Sequence, residues 1–253
     1  SSDLGFIKVP PAYIGQIKPE SSNLSFENNK PGKNPKKDFY RLKPAEPSPY
    51  KNIHVIFVYH KDDEAKKDEL KHYLQNGLRH FKGLYGYAGI LNHIEDDASM
   101  VFTDKYNPLP ELEAKFTSYK YDTANVKYLA IYLTPFTKEE TARQEERIYV
   151  QVKEYLLNRE IVCQSIEPKN VGGEETDFVF SLTNMAVAIL AKLGGVPWRL
   201  HTIEKKELIV GVGAFRNPKD GVRYLSSAFS FDNTGRFNSF DYFMKDEITE
   251  LAG

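Results

Sequence analysis

The sequence predicts an α/β protein, a Rossmann-like parallel sheet with flanking helices followed by an antiparallel strand meander, and three observations predict it. Short β-branched apolar runs alternate with amphipathic helical stretches between residues 51 and 202. From residue 203 the helical stretches give way to three strand-like runs joined by turn-forming residues. Residues 1–50 follow neither pattern and hold eight of the 14 prolines. Three segments result: a Pro-rich N-terminal arm or linker over 1–50, a layered domain over 51–202, and the incomplete start of a second domain over 203–253.

Within the arm, Lys30-Pro-Gly-Lys-Asn-Pro-Lys-Lys37 and Pro44-Ala-Glu-Pro-Ser-Pro49 lose amide donors to proline, which also restricts the preceding residues. Ile53-His-Val-Ile-Phe-Val-Tyr59 then has the composition of a buried parallel strand. Asp62 or Asp63 can cap a helix running to about His80, with Leu70, Tyr73, Leu74 and Leu78 on one stripe. Gly83 to Gly89 reads as a turn and the stretch beyond it as irregular. Val126 to Leu133 is a second strand, closed by Pro135, and a charged helix follows from about Lys138 to Asn158. Ile161 to Ile166 is a third strand, and Phe178 to Leu193 a helix stopped by Gly194-Gly195. Glu207–Gly213, Arg223–Phe231 and Arg236–Phe243 form the meander, with Asn217-Pro-Lys-Asp-Gly221 and Asp232-Asn-Thr-Gly235 as its turns. A helical fragment, Asp246 to Leu251, comes last.

Composition narrows the function classes. A hydrophobic share of 41% excludes a fully disordered chain. No apolar run approaches the roughly 20 residues that span a bilayer. Lys8, Pro10, Pro11, Gln16 and Lys18 interrupt any secretory core, so a cytoplasmic location is the expectation. Lys+Arg 34 against Asp+Glu 35 excludes a uniformly basic coat for nucleic acid but not a local basic pocket. Cys163, the only cysteine, allows neither an intrachain disulfide nor a cysteine metal cluster. No two of the six histidines have the spacing of a zinc pair on one helix face. Gly211-Val-Gly213 does not complete a nucleotide loop, because Arg216 holds the third glycine position.

The residues that could carry chemistry lie around the third strand. Tyr149 and Lys153 are four apart on the charged helix and emerge on one face. Gln164 is in the strand that follows; Asn184 and Lys192 share one face of the next helix, with Ala188 between them. Two ammonium groups, a phenol and two amides converging at a strand end would suit a phosphate monoester. Taken singly, each also reads as an ordinary solvated lysine or packing tyrosine.

In order, these residues run Tyr149-x3-Lys153, Ile161-Val-Cys-Gln164, Thr183-Asn184-x7-Lys192-Leu-Gly-Gly195 and Pro197-Trp198, followed by a Val-Gly strand. That string resembles the MID domain of Argonaute proteins running into their PIWI domain, most of all in short prokaryotic Argonautes. The resemblance implies that residues 51–202 are MID-like and that residues 203–253 begin an RNase H-like PIWI fold. It further implies that Tyr149, Lys153, Gln164, Asn184 and Lys192 grip the 5′-phosphate of a small guide RNA or DNA. Thr134, Pro135, Phe136 and Thr137 would stand where the family has its loop over the first base, here in a longer, charged connection. The implied partners are the guide, a complementary target strand and a protein with an APAZ-type region and effector domain, acting in defence against plasmids or phage. Mg2+ or Mn2+ bridging the guide phosphate is implied as well.

One departure bears on activity. Target-cutting PIWI domains place a metal-binding Asp after the opening Gly of the first strand, and Gly213 holds that position here. Asp232 and Asp241 read as structural, so no catalytic residue is assigned and a non-cleaving protein is expected. Two other readings stay open: a guide-directed endonuclease whose carboxylates lie outside this chain, and a Rossmann-like domain that binds a small phosphorylated metabolite.

Overall fold

The computed structural model describes residues 23–136, 143–173, 175–201, 208–216, 224–232 and 237–244. Its contacts group the chain into two units, Ser25–Arg199 and Ser1–Leu24 with Leu200–Gly253. In chain order the strands and helices are β1 (Leu24–Ser25), β2 (Pro31–Gly32), α1 (Pro35–Leu42), β3 (Ile53–His60), α2 (Glu64–Asn76), α3 (Gly83–Ala88), β4 (Asn92–Ile94), β5 (Met100–Phe102), α4 (Leu109–Tyr119), β6 (Lys127–Leu133), α5 (Arg143–Leu157), β7 (Val162–Ile166), α6 (Glu175–Lys192), β8 (Arg199–Leu200), β9 (Leu208–Arg216), β10 (Tyr224–Asp232) and β11 (Phe237–Met244).

The larger unit is built on a five-stranded parallel sheet ordered β4-β3-β6-β7, with β5 also paired to β3. Parallel strands need crossovers, and the helices that make them cover both faces. On one face, Ile56, Val58, Ala130, Tyr132 and Cys163 pack with Leu112 of α4 and Ile148, Val152 and Leu156 of α5. Residues of the opposite parity, such as Phe57 and Ile131, are equally buried and face the side taken by α2, α3 and α6. Burial on both faces explains why β3 and β6 read as unbroken apolar runs. The predicted strands and long helices are present here, α6 running Glu175–Lys192 and α5 Arg143–Leu157.

Elsewhere the structure differs from the sequence reading. Gly83 to Gly89 is largely the short helix α3, and the irregular stretch beyond holds β4, β5 and α4. Strands of three residues carry too little alternation to be read, and α4 starts at Leu109 behind Pro108 without a side-chain cap. Of the arm expected over 1–50, residues 25–50 are packed into the larger unit. Asn34 caps α1 through the Lys37 amide at 3.2 Å, and Pro35 takes the first turn. The helix buries Phe39 between Tyr87 and Trp198, with ring centroids at 5.3 and 6.1 Å. Beyond it, Glu46 and Val196 exchange backbone hydrogen bonds of 3.0 and 2.9 Å, and the Ser48 hydroxyl donates to the Leu193 carbonyl at 2.9 Å. Proline here fixes a draped path and leaves few amides to satisfy.

The second unit contains the antiparallel meander β11-β10-β9. Phe231 shifts register against β11, a local bulge after Ser230. Asp232 is the last residue of β10, opposite Leu208, at the first position of the turn expected there. The turn predicted at 217–221, residues 233–235 of the turn predicted at 232–235, and the fragment 246–251 lie outside the described residues.

Candidate functional site

β7 is the edge strand of the parallel sheet, and α5 and α6 both pack against it. That placement decides which side chains meet. On α5, Ile148, Val152 and Leu156 point into the core at intervals of four. Tyr149 and Lys153, one position further round, turn toward the strand edge. The Lys153 ammonium donates to the Tyr149 hydroxyl at 3.3 Å and stands 5.1 Å from the centre of its ring. The same phenol shares a 3.0 Å hydrogen bond with Ser165 of β7.

From the other side, α6 brings Lys192. Its ammonium donates to the Cys163 carbonyl and to Gln164 Oε1, both at 2.8 Å. Gln164 in turn donates through Nε2 to the Ser165 carbonyl at 3.0 Å. Ser181, Asn184, Met185 and Ala188 form the i, i+3, i+4, i+7 stripe of α6 that borders a cavity of about 670 Å3. Lys192 continues the stripe one turn on.

Tyr149, Gln164, Asn184, Thr134 and Phe136 line that cavity together with Tyr132, Ser165, Ile166, Glu167 and Asn170, among others. Lys153 and Lys192 are absent from its walls. Each is held one hydrogen bond behind a residue that does line it, Lys153 behind Tyr149 and Lys192 behind Gln164. Four of the five residues singled out by spacing are thus tied into two short hydrogen-bond chains, and Asn184 faces the same space. Thr134 is buried, with its amide on the Ile166 carbonyl at 2.9 Å and its hydroxyl on the Phe136 carbonyl at 3.3 Å. Pro135 is partly buried beside them, and Thr137 lies outside the described residues.

Electrostatics follow from this crowding. Burial and the neighbouring Lys153 charge hold the Lys192 pKa below the ordinary lysine value, while Cys163 and Tyr149 pull the other way. Burial opposes ionisation of the Tyr149 phenol, but the Ser165 hydroxyl and the Lys153 ammonium outweigh it and hold its pKa below the usual tyrosine value. An anion placed among these groups would relieve the repulsion between the two lysines. Burial pushes the Cys163 thiol up to about 11, so it is a neutral side chain whose carbonyl, not its sulfur, serves the site.

Ser165 and Tyr132 are the site residues that sequence reasoning passes over. Ser165 adjoins Gln164 but lies on the opposite face of the strand, a signal that period-two alternation carried. Tyr132 looks like one more apolar residue of a buried strand.

For a bridging Mg2+ or Mn2+, Glu167 is the one carboxylate that lines the cavity among the described residues. None of the five predicted residues is a carboxylate, two are cations, and the Gln164 amide oxygen is taken by Lys192. Among the described residues, no group of three or more His, Cys, Asp and Glu could hold a metal ion. In the second unit, Gly213 sits inside β9 opposite Ser227. Gly211 and Gly213 therefore belong to a strand and not to a strand-to-helix phosphate loop. Asp241 pairs with Ala228, and Asp232 with Leu208, so both stand at register positions of opposite parity to Gly213. No helix among the described residues is long and apolar enough to cross a membrane.

Comparison with known proteins gives no matching family model and no matching curated protein. Solved structures do match. Drosophila Piwi superposes on 91% of the chain with a TM-score of 0.63 at 13% identity, over 30% of its own length. Marinitoga piezophila Argonaute in complex with 5′ OH guide RNA superposes on 94% with a TM-score of 0.61 at 13% identity, over 37% of its length. Kluyveromyces polysporus Argonaute with a guide RNA superposes on 89% with a TM-score of 0.59 at 11% identity, over 27% of its length. The chain spans about a third of these proteins and shares their fold.

Proposed function

We propose, on the premise of an Argonaute-type fold, that this chain holds the 5′-phosphorylated end of a small guide strand in the cavity between α5 and α6, without cutting the target. The observation that carries the reading is the approach of Lys153 and Lys192, from helices on opposite faces of the sheet, to one edge strand through Tyr149 and Gln164. Phosphate contacts of this kind carry no sequence information, so target choice falls to base pairing with the guide. The site lies by the carboxyl ends of β6 and β7, where open α/β sheets place their ligands.

The test is the affinity of Lys153→Ala and Lys192→Ala for matched short strands with a 5′-phosphate or a 5′-hydroxyl. Each substitution should cost about 1.5–3 kcal/mol, roughly 10- to 150-fold, on the phosphorylated strand alone. Equal losses on both strands would contradict the assignment.

A second reading, a 5′-hydroxyl end, is favoured by two observations: neither lysine lines the cavity, and the Marinitoga protein of this fold is in complex with a 5′ OH guide. It predicts no preference for the phosphorylated strand. A free sugar phosphate that matched the strand's affinity would instead favour a metabolite-binding domain.

Absence of cleavage rests on Gly213, which offers no carboxylate where the family's first metal ligand would stand. Protein loaded with a guide and given a complementary target with Mg2+ or Mn2+ should leave the target intact; a cut at a fixed guide position would overturn this. A companion chain with an APAZ-type region and effector domain belongs to the same reading, and co-purification from the native host tests it.

A further inference from the structure

We infer that the Tyr132 hydroxyl is a further contact of the bound strand, donating to an acceptor oxygen of its terminal nucleotide; the inference rests on reading the cavity as a strand-end site. Tyr132 is the penultimate residue of β6. It is fully buried and still borders the cavity. Among the described residues its hydroxyl has no hydrogen-bond partner. Buried hydroxyls are nearly always bonded, because leaving one unpaired gives up the bonds it makes to water in the unfolded chain.

The surroundings explain why the protein itself does not satisfy it. Tyr132 pairs with Ser165 across the sheet, so the two side chains share the α5 face. The Tyr149 ring stacks beside it, 6.3 Å between centroids and 19° between planes. Yet the hydrogen bonds of the Ser165 and Tyr149 hydroxyls run to each other and, at Tyr149, to Lys153, and none of them reaches the Tyr132 hydroxyl. The other neighbours are apolar: Ala130, Ile148 and Val152 belong to the same cluster. Packing alone would be served as well by phenylalanine, which fills the same volume without the stranded oxygen. Burial also raises the Tyr132 pKa far above the usual tyrosine value, which keeps the hydroxyl a donor at any working pH. Among the described residues, the other buried atoms without a hydrogen-bond partner, His54 Nδ1, Tyr155 Oη and Arg199 Nε, belong to residues that do not border this cavity, and His54 Nδ1 stands 3.4 Å from Glu95 Oε2.

Tyr132→Phe in the full chain tests the inference with two readouts, measured beside Lys153→Ala and Lys192→Ala. The melting temperature of the free protein should stay the same or rise, because an unpaired buried oxygen is removed. Affinity for a short strand should fall about three- to tenfold, the scale of one neutral hydrogen bond. A loss confined to the 5′-phosphorylated strand puts the acceptor on the phosphate; an equal loss on the 5′-hydroxyl strand puts it on the terminal base or sugar. Unchanged affinity, with or without a lower melting temperature, overturns the inference and leaves the hydroxyl a structural group. If the lysine variants lose affinity and Tyr132→Phe does not, this inference alone fails. If the lysine variants also bind as the unmutated protein does, the 5′-phosphate reading fails with it.

Discussion

Lys192 carries two obligations at once, since its ammonium bonds the Cys163 carbonyl and Gln164 Oε1 while facing the charge of Lys153. Its depressed pKa has a consequence for binding. A bound phosphate stabilises the ammonium, so the complex holds a proton that the free site is already losing as pH rises. Binding then takes up protons, and affinity for a 5′-phosphorylated strand falls with rising pH before the ordinary lysine value of 10.5 is reached. Ionisation of Tyr149, whose pKa is also lowered, adds a negative charge beside the phosphate and acts in the same direction. At the acid end, affinity falls below about pH 6 as the phosphate loses its second charge. Titrating affinity from pH 5 to 10.5 checks this, and a plateau running unbroken to the ordinary lysine value of 10.5 would contradict it. The spacing of Tyr149 with Lys153 and of Asn184 with Lys192 was legible in the sequence because helical period is a local property. That Lys192 would settle on a main-chain carbonyl of β7, or that Ser165 would hold the Tyr149 phenol, depends on how helices dock and leaves no local signature.

Helix α1 illustrates the same division one level up. Asn34-Pro35 is a readable start, a capping side chain followed by proline in the first turn. It is masked by the surrounding prolines, which give the segment the composition of a linker. What holds α1 in place is tertiary: Phe39 is fully buried against Tyr87 and Trp198. Phe39→Ala should therefore destabilise the larger unit by about 3–5 kcal/mol in denaturant unfolding, the usual cost of emptying a core phenylalanine site. A loss below about 1 kcal/mol would mean that residues 25–50 lie on the unit without supporting it. The parallel strands β3 and β6 were legible because both of their faces are buried, which writes an unbroken apolar run into the sequence. The three-residue strands β4 and β5 are held by pairing to β3 and contain too few residues to show any period. The meander β9 to β11 was legible from its strand-like runs and the turn-forming residues between them.

At the scale of the molecule, near-neutral net charge and a nucleic-acid role are compatible because the charge that matters is local. Two lysines at one sheet edge supply it, while the composition as a whole stays balanced. The fold matches about a third of the length of much longer proteins. The measurement closest to the central claim is the affinity of the unmutated chain for one short strand with and without its 5′-phosphate, at neutral pH and fixed salt. The account predicts that the phosphorylated strand binds at least about tenfold more tightly, the scale of one charge-assisted contact. Equal affinity for the two strands would contradict it.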